Sequence, residues 1–235
     1  MKKTLWTLNV DGYAPEITAL TFPLFQLYAR KIGAEFRVID SRTFPDWPPV
    51  YEKLQIYELG KENDWNIFID ADAVIHPEMW DPTDHLHKHT VCHNGNDMAG
   101  NRWRYDRFFR RDARHIGSCN WFTVASDWCI DLWRPLEDLT FGQALANISP
   151  TPSERSNGIT EEHLIDDYTL SRNIAQFGLK FTTIRDIQER INDKGNYLWH
   201  IYTVSVPEKV RQMREILHAW GLDVMDLEQP YKESA

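Results

Sequence analysis

Apolar and polar residues follow recognisable periods in the first part of the chain. Residues 3–10, KTLWTLNV, are mostly apolar and predict a first strand. Apolar residues then recur at helical spacing as far as Gly33, and Pro23 predicts a restart within that helix. Residues 35–40, EFRVID, predict a second strand. This strand, helix, strand order favours a parallel pair with a right-handed crossover.

A third strand is predicted at residues 65–69, WNIFI, which are apolar without interruption. A continuously apolar strand is typical of a parallel sheet that is covered on both faces. Asp70, Ala71 and Asp72 follow at once, after a helix predicted at 51–63. Because ligands bind outside the carboxyl ends of strands in open α/β sheets, we expect both carboxylates at a ligand site.

The pattern is less regular in the rest of the chain. Residues 78–118 have no clear period and are rich in His, Asn, Arg and Gly, which predicts a long functional excursion outside the core. The other predicted elements are a strand at 120–126, a helix start at 127–136, a mobile loop at 147–158, a helix at 160–177, strands at 180–184 and 197–202, and a closing helix at 207–220. Together they favour an α/β fold.

Composition agrees with a folded globular protein. The chain has 235 residues, of which 42% are hydrophobic and 26% charged, so we expect a single domain. No stretch approaches the roughly 18 apolar residues of a membrane span, and the N-terminus turns polar too early for a signal peptide, so a cytoplasmic location is predicted. Three cysteines, Cys92, Cys119 and Cys129, form no CxxC pair and are expected to be reduced.

The charge distribution argues against broad nucleic-acid binding, because the net charge is −9. Residues 102–114 are an exception, with six arginines against two aspartates and interleaved aromatic residues. This segment is either a solvated helix with one buried face or a surface for an acceptor or a diphosphate. The ten tryptophans likewise fit core packing or flat walls for a sugar ring.

Two carboxylates one residue apart at a strand end repel each other. Burial would force one of them to hold a proton unless a cation compensates, and oxygen ligands suit Mg²⁺ or Mn²⁺. The plain alternative is that Asp70 caps a turn and Asp72 is solvated. A zinc site at the cluster HLHKHTVCH, residues 85–93, is a further possibility, but its spacing matches no common structural pattern.

In its order of motifs the sequence resembles the metal-dependent glycosyltransferases of the GT-A fold, of the glycogenin and bacterial galactosyltransferase type. The clearest stretch is residues 51–77, where Lys53 precedes the hydrophobic strand and stands 17 positions before Asp70. The other stretches that fit are residues 13–40, GSCNWFTVAS at 117–126, EEHLIDDYTLSRNIA at 161–175 and LWHIY at 198–202. The resemblance lies in the ordered set, more than in any one motif.

This resemblance implies one GT-A domain, with a nucleotide-sugar half at about 1–118 and an acceptor half at about 119–235. The implied reaction transfers a hexose or pentose from a nucleotide sugar, favouring a UDP-sugar, to a hydroxyl of a glycan, protein or small molecule, with retention favoured. The implied metal ligands, for Mn²⁺ or Mg²⁺, are Asp70, Asp72 and His200. The implied donor-binding residues are Thr7, Asn9, Tyr13, Asp40, Lys53, Asp70, Ala71, Gly117, Ser118 and Asn120. The implied catalytic carboxylates are Asp166 and Asp167, with Asp167 favoured.

Each implied role has an ordinary structural alternative. Lys53 also fits a solvated helix lysine, His200 a structural histidine, and Asp166 and Asp167 a helix start, where carboxylates are favoured by the dipole. The Gly and Lys-Pro pattern that follows the histidine in this family is absent, since HIYTVSVPEK offers only Lys209. Two rival classes remain, a haloacid-dehalogenase-like phosphotransferase, which places its DxD on the first strand, and a non-catalytic carbohydrate-binding module.

Overall fold

The computed structural model describes residues 1–94, 101–105 and 121–222. Its main sheet has the strand order β2-β1-β3-β6-β5-β7, in which every strand is parallel to the others except β6. A small second sheet pairs β4 with β8 in antiparallel fashion. The strands are β1 Lys3–Leu8, β2 Ala34–Ile39, β3 Trp65–Ile69, β4 Ala73–Ile75, β5 Thr90–His93, β6 Phe122–Ser126, β7 Lys180–Thr183 and β8 Leu198–His200.

Helices cover both faces of the main sheet. The α-helices are α1 Pro15–Lys31, α2 Ile56–Leu59, α3 Phe141–Leu145, α4 Pro152–Ser156, α5 Ile165–Gln176, α6 Ile184–Ile191 and α7 Val206–Ala219. The 3-10 segments are Val10–Gly12, Pro49–Gln55, Pro82–His85, Asp127–Trp133 and Glu161–Leu164. In the described part of the chain, no helix has the length and apolar character that crossing a membrane requires.

The core lies in two layers, one on each face of the sheet. Ile67 on β3 belongs to the layer that includes α1 and α7, while Phe68 belongs to the layer under α5 and the 3-10 segment Pro49–Gln55. All five residues of β3 are buried. The prediction that β3 is a central strand covered on both faces is confirmed, as is the α/β class with a mostly parallel sheet flanked by helices.

The chain between β1 and β2 forms one uninterrupted helix, α1, so the predicted restart at Pro23 is wrong. A proline inside a helix removes one backbone hydrogen bond and crowds the preceding turn, but the buried face of α1, including Leu20 and Leu24, is packed on the sheet and holds the helix together. Gly33 ends the connection with a positive φ of 66°, which suits glycine.

Three other predicted elements need correction. The supposed excursion at 78–118 contains β5, whose Val91 and Cys92 are fully buried between β6 and β7. The predicted loop at 147–158 contains α4, which begins at a capping box formed by Thr151 and Glu154. The predicted helix at 51–63 is a 3-10 segment followed by the single turn of α2.

Some short elements lie where no separate element was predicted. Helix α6 follows β7 directly, and β4 forms the three residues after the DxD. The segment predicted as a helix start at 127–136 is a 3-10 helix. Packing against the rest of the molecule determines such short elements, because they are too short to show a period of their own.

Candidate functional site

The two carboxylates of the DxD lie in a tight connection between β3 and β4. The backbone N–H of Asp70 donates to the carbonyl of Trp121 at 2.8 Å, and the N–H of Ala73 donates to the carbonyl of Asp70 at 3.0 Å. The Thr21 hydroxyl of α1 donates to the carbonyl of Ala71 at 2.8 Å. These bonds tie the turn to β6 and to α1, so both aspartates are held at the carboxyl end of β3.

His200 reaches the same place through the second sheet. In the pairing of β4 with β8, Ala73 lies opposite His200, and the N–H of Ile201 donates to the carbonyl of Asp72 at 3.3 Å. The Nε2 atom of His200 then lies 3.1 Å from Asp72 Oδ1 and 3.8 Å from Asp70 Oδ2. The structure therefore brings together the three residues that the resemblance implies as metal ligands.

Two aromatic rings fix the plane of the His200 imidazole. Trp121 stacks on it with ring centroids 5.2 Å apart and an interplanar angle of 18°. Tyr202 stacks with its centroid also 5.2 Å away, at an angle of 24°. These two ring contacts limit rotation of the imidazole, whose Nε2 lies beside the carboxylates.

The geometry of these three residues fits a small divalent cation. One ligand atom from each of Asp70, Asp72 and His200 lies within 4.8 Å of the others. His200 Nε2 lies 3.1 Å from Asp72 Oδ1 and 3.8 Å from Asp70 Oδ2. Both distances are within the roughly 4.2 Å that separates two opposite ligands of one Mg²⁺ at its usual bond length. Two carboxylate oxygens and one imidazole nitrogen also suit Mn²⁺. Within the described ranges this is the group found with metal-binding geometry.

Lys53 joins the DxD to the start of α5. Its Nζ lies 2.5 Å from Asp166 Oδ2 and 3.3 Å from Asp70 Oδ1, and its side chain is only 1% exposed. The ammonium also sits over the ring of Phe68, 4.5 Å from the centroid. A solvated helix lysine is therefore excluded. Lys53 is a buried cation that links two carboxylates.

Asp167 is held in a separate network beneath the site. It is fully buried, and its Oδ2 accepts a hydrogen bond from the Tyr105 hydroxyl at 2.5 Å. The Arg104 guanidinium lies 3.7 Å from the same oxygen and donates through Nε to Glu154 at 2.8 Å. The other candidate catalytic carboxylate, Asp166, is connected through Lys53 to Asp70.

Lys209, in the first turn of α7, also enters the site. Its Nζ makes an ion pair with Asp72 Oδ2 and lies 3.2 Å from the Tyr13 hydroxyl, which in turn lies 3.2 Å from Asp72 Oδ2. Sequence reasoning noted Lys209 only as a departure from the family pattern. Its position after Pro207, nine residues beyond His200, was the available signal.

For each DxD carboxylate, burial raises the pKa and nearby positive charges lower it. Burial raises the pKa of Asp70, and the charges of Lys53 and His200 offset this only in part. Burial also acts to raise the pKa of Asp72, but the hydrogen bond with His200 and the charges of His200 and Lys209 outweigh it, so that pKa is well below its usual range. The charge of Asp166 raises the pKa of Lys53 although burial opposes it.

The residues expected at the nucleoside lie at the carboxyl ends of β1 and β2. Thr7 is buried and Asp40 is exposed, and the N–H of Asn9 donates to the carbonyl of Ile39 at 2.8 Å. Within the described part of the protein, Thr7 Oγ1 and Asn9 Oδ1 are buried atoms without a hydrogen-bond partner. Buried polar atoms are usually paired, so these two are able to bind a polar group that approaches the ends of β1 and β2.

Some of the predicted features receive less support or fall outside the description. Gly117, Ser118 and Asn120 lie outside the described residues, as does most of the arginine-rich segment. Arg102 is exposed, and Trp103 is 57% exposed. The rings of His87 and His89 stack 5.8 Å apart without forming a cluster suited to a metal within the described chain.

Comparison with known proteins identifies the fold. No model of a known protein family matches this chain, and no curated protein matches it. Among solved structures, it is similar to a glycosyltransferase involved in the glycosylation of the major capsid of PBCV-1, with a TM-score of 0.51 and 11% sequence identity. The match covers 91% of this chain and 100% of that chain. The chain thus has the α/β fold of a glycosyltransferase, which confirms the predicted resemblance at the level of the fold.

Proposed function

We propose that this protein is a metal-dependent glycosyltransferase that moves a hexose or pentose from a UDP-sugar to an acceptor hydroxyl. One observation carries the proposal: Asp70, Asp72 and His200 converge at the carboxyl end of β3, in a chain with a glycosyltransferase fold. The DxD follows the third strand, whereas the rival phosphotransferase class places it on the first. A carbohydrate-binding module has no need of a buried lysine between two carboxylates.

The nucleoside of the donor is assigned to the ends of β1 and β2. The buried acceptors Thr7 Oγ1 and Asn9 Oδ1 can take N–H or O–H groups of a base or ribose. Asp40 is exposed beside them and can accept from a ribose hydroxyl. Tyr13 is 37% exposed and offers a ring face to the base. The choice of uridine rests on the family resemblance.

Asp70, Asp72 and His200 would hold Mn²⁺ or Mg²⁺. A bound cation there would supply Lewis-acid stabilisation of the charge that develops on the departing diphosphate. Lys53 holds Asp70 and Asp166 in a fixed arrangement, which leaves Asp166 as the carboxylate that can orient hydroxyls of the transferred sugar. We assign the catalytic role to Asp166, with Asp167 as its buried neighbour.

We also propose that the reaction retains the anomeric configuration. An inverting enzyme needs a general base that reaches the acceptor hydroxyl. Asp167 is fully buried and bonded to Tyr105, while Asp166 is 4% exposed and paired with Lys53. Their pairing with Lys53 and Tyr105 makes both carboxylates poor candidates for that base, and the family resemblance favours retention. NMR of the first product formed tests this proposal, because inversion would give the opposite anomer.

We propose that the chain forms a single domain, because both of its halves contribute strands to the same two sheets. The first half of the chain supplies β1, β2, β3 and β5, and the second half supplies β6 and β7 to the same sheet. The second sheet joins β4 from the first half to β8 from the second. The acceptor is proposed to be a hydroxyl of a glycan, a protein or a small molecule.

The experiment is a calorimetric titration of UDP, with and without Mn²⁺, followed by an assay of UDP-sugar hydrolysis and transfer. Asp72→Asn should abolish Mn²⁺-dependent UDP binding and leave the fold intact. The matched control is Asp46→Asn, which changes an exposed aspartate away from the DxD. Wild-type binding of UDP by Asp72→Asn, with the same dependence on Mn²⁺, would contradict the proposal.

A further inference from the structure

The ammonium group of Lys209 already forms an ion pair with one of the carboxylates assigned to the metal. Lys209 Nζ contacts Asp72 Oδ2, and the two side chains are only 12% and 14% exposed. The Tyr13 hydroxyl lies 3.2 Å from both groups. Exposed surface ion pairs contribute little energy, but this one is largely removed from water and has a third partner. Its position beside the DxD therefore bears on what Asp72 can bind.

Lys209 and a divalent cation compete for the same negative charge. Asp72 Oδ1 faces His200 Nε2 at 3.1 Å, so a cation between them would lie within a few ångströms of Lys209 Nζ. Two positive centres that close repel each other by several kcal/mol at the effective dielectric of a half-buried site. They cannot both keep their best positions.

The charge balance of the site changes when Lys209 leaves. The carboxylates Asp70, Asp72 and Asp166 carry three negative charges, and Lys53 and Lys209 carry two positive ones, which leaves a single negative charge. Without Lys209 the same set carries two negative charges, which matches a divalent cation. Lys53 is 1% exposed and lies between two carboxylates, whereas Lys209 is 12% exposed and pairs with Asp72 from the first turn of α7. Lys209 is therefore the lysine that can withdraw.

We propose that Lys209 is an internal counterion that neutralises Asp72 until a divalent cation binds, and that its release makes the binding of the cation and of an anionic ligand cooperative. The displaced ammonium loses its carboxylate partner, so a diphosphate beside the cation lowers the free energy of the exchange. In the absence of an anion, Lys209 weakens cation binding. The inference deepens the proposed function and rests on it for the identity of the anion.

The test is a measurement of Mn²⁺ affinity by electron paramagnetic resonance of free Mn²⁺, using the 235-residue chain with and without UDP. Lys209→Met keeps the alkyl stem and removes the charge, and Lys209→Gln is a second variant should the first be unstable. The matched control is Lys194→Met, which removes one exposed positive charge elsewhere. Circular dichroism and thermal unfolding verify that each variant is folded.

Lys209→Met should bind Mn²⁺ about tenfold more tightly than wild type without UDP, in the usual range of coupling between sites, while Lys194→Met should be close to wild type. UDP should tighten Mn²⁺ binding of the wild type by a larger factor than that of Lys209→Met. Equal or weaker Mn²⁺ binding by Lys209→Met and Lys209→Gln would overturn the inference.

The same experiment separates this inference from the proposed function. Tighter Mn²⁺ binding by Lys209→Met supports the counterion role even when no UDP-sugar is turned over, a result that would contradict only the glycosyltransferase proposal. Unchanged Mn²⁺ affinity in a chain that binds UDP and Mn²⁺ and turns over a UDP-sugar would contradict only the counterion role.

Discussion

The backbone of Ala73 pairs with the backbone of His200, so the residue that follows the DxD is joined directly to the histidine of the candidate site. This pairing is part of the small β4–β8 sheet, and it brings two distant segments of the chain together at the carboxyl edge of β3. The position of His200 thus depends on sheet pairing, which holds it more rigidly than a loop would.

Replacement of His200 by alanine should weaken Mn²⁺ binding at least tenfold, because one of three protein ligands is lost and changes in ligand shells commonly cost 10- to 100-fold in affinity. Isothermal titration calorimetry measures the effect. His89→Ala changes an exposed histidine outside the site and serves as the control. Unaltered Mn²⁺ affinity in His200→Ala would remove His200 from the ligand set.

Asp72 should stabilise the metal-free fold at neutral pH and lose that effect in acid. Its pKa is lower in the folded chain than in the unfolded one, because His200 and Lys209 favour the carboxylate. A depressed pKa contributes stability that is present above the unfolded value, about 3.9, and is lost as the pH falls through the folded pKa. Urea unfolding of wild type and Asp72→Asn should therefore differ at pH 7, and the difference should shrink progressively as the pH falls below about 3.9. A difference that does not shrink in acid would argue against this account.

Loss of Lys53 should cost about 3 kcal/mol in the free energy of unfolding, because Lys53→Met leaves the carboxylates of Asp70 and Asp166 close together without their shared cation. Urea denaturation at pH 7 measures the loss. The double variant Lys53→Met with Asp166→Asn should recover part of it, since one of the stranded charges is gone. Additive losses in the double variant would show that the contacts are independent.

Tyr105→Phe should destabilise the fold by about 1–3 kcal/mol, because it removes the hydroxyl that donates to the buried Asp167 carboxylate. The neighbouring Arg104 keeps its bond to Glu154 in this variant. Thermal and urea unfolding measure the change, and Tyr202→Phe, at a ring that is 60% exposed, is the matched control. Equal stability of Tyr105→Phe and wild type would mean that Asp167 is satisfied without Tyr105.

The sequence pattern predicted the central part of the fold well, for physical reasons. Strand β3 is apolar throughout because both of its faces are buried, and that pattern is visible without any knowledge of its neighbours. The DxD could then be predicted as a ligand site, because it stands at the carboxyl end of this strand. Strand β5 was missed because four residues show no periodicity, although Val91 and Cys92 are completely buried.

The site was predictable only in part, because most of its contacts are made between distant parts of the chain. His200 was reached through the resemblance, since nothing local in LWHIY shows that β8 pairs with β4. The roles of Lys209, Tyr13 and Tyr105 at the two carboxylate clusters depend on tertiary contacts that no spacing records. The adjacent residues Asp166 and Asp167 cannot be distinguished in the sequence, because their different partners depend on the direction of each side chain at the start of α5.

The stack of Trp121 on the His200 imidazole has a practical consequence. An indole in face-to-face contact with a residue assigned to the metal senses changes in electron density and magnetic environment at that ring. Paramagnetic Mn²⁺ would quench Trp121 fluorescence, while diamagnetic Mg²⁺ would quench it far less. Trp121 would then serve as an intrinsic optical reporter of cation binding, and comparison with Trp121→Phe would separate its signal from that of the other tryptophans.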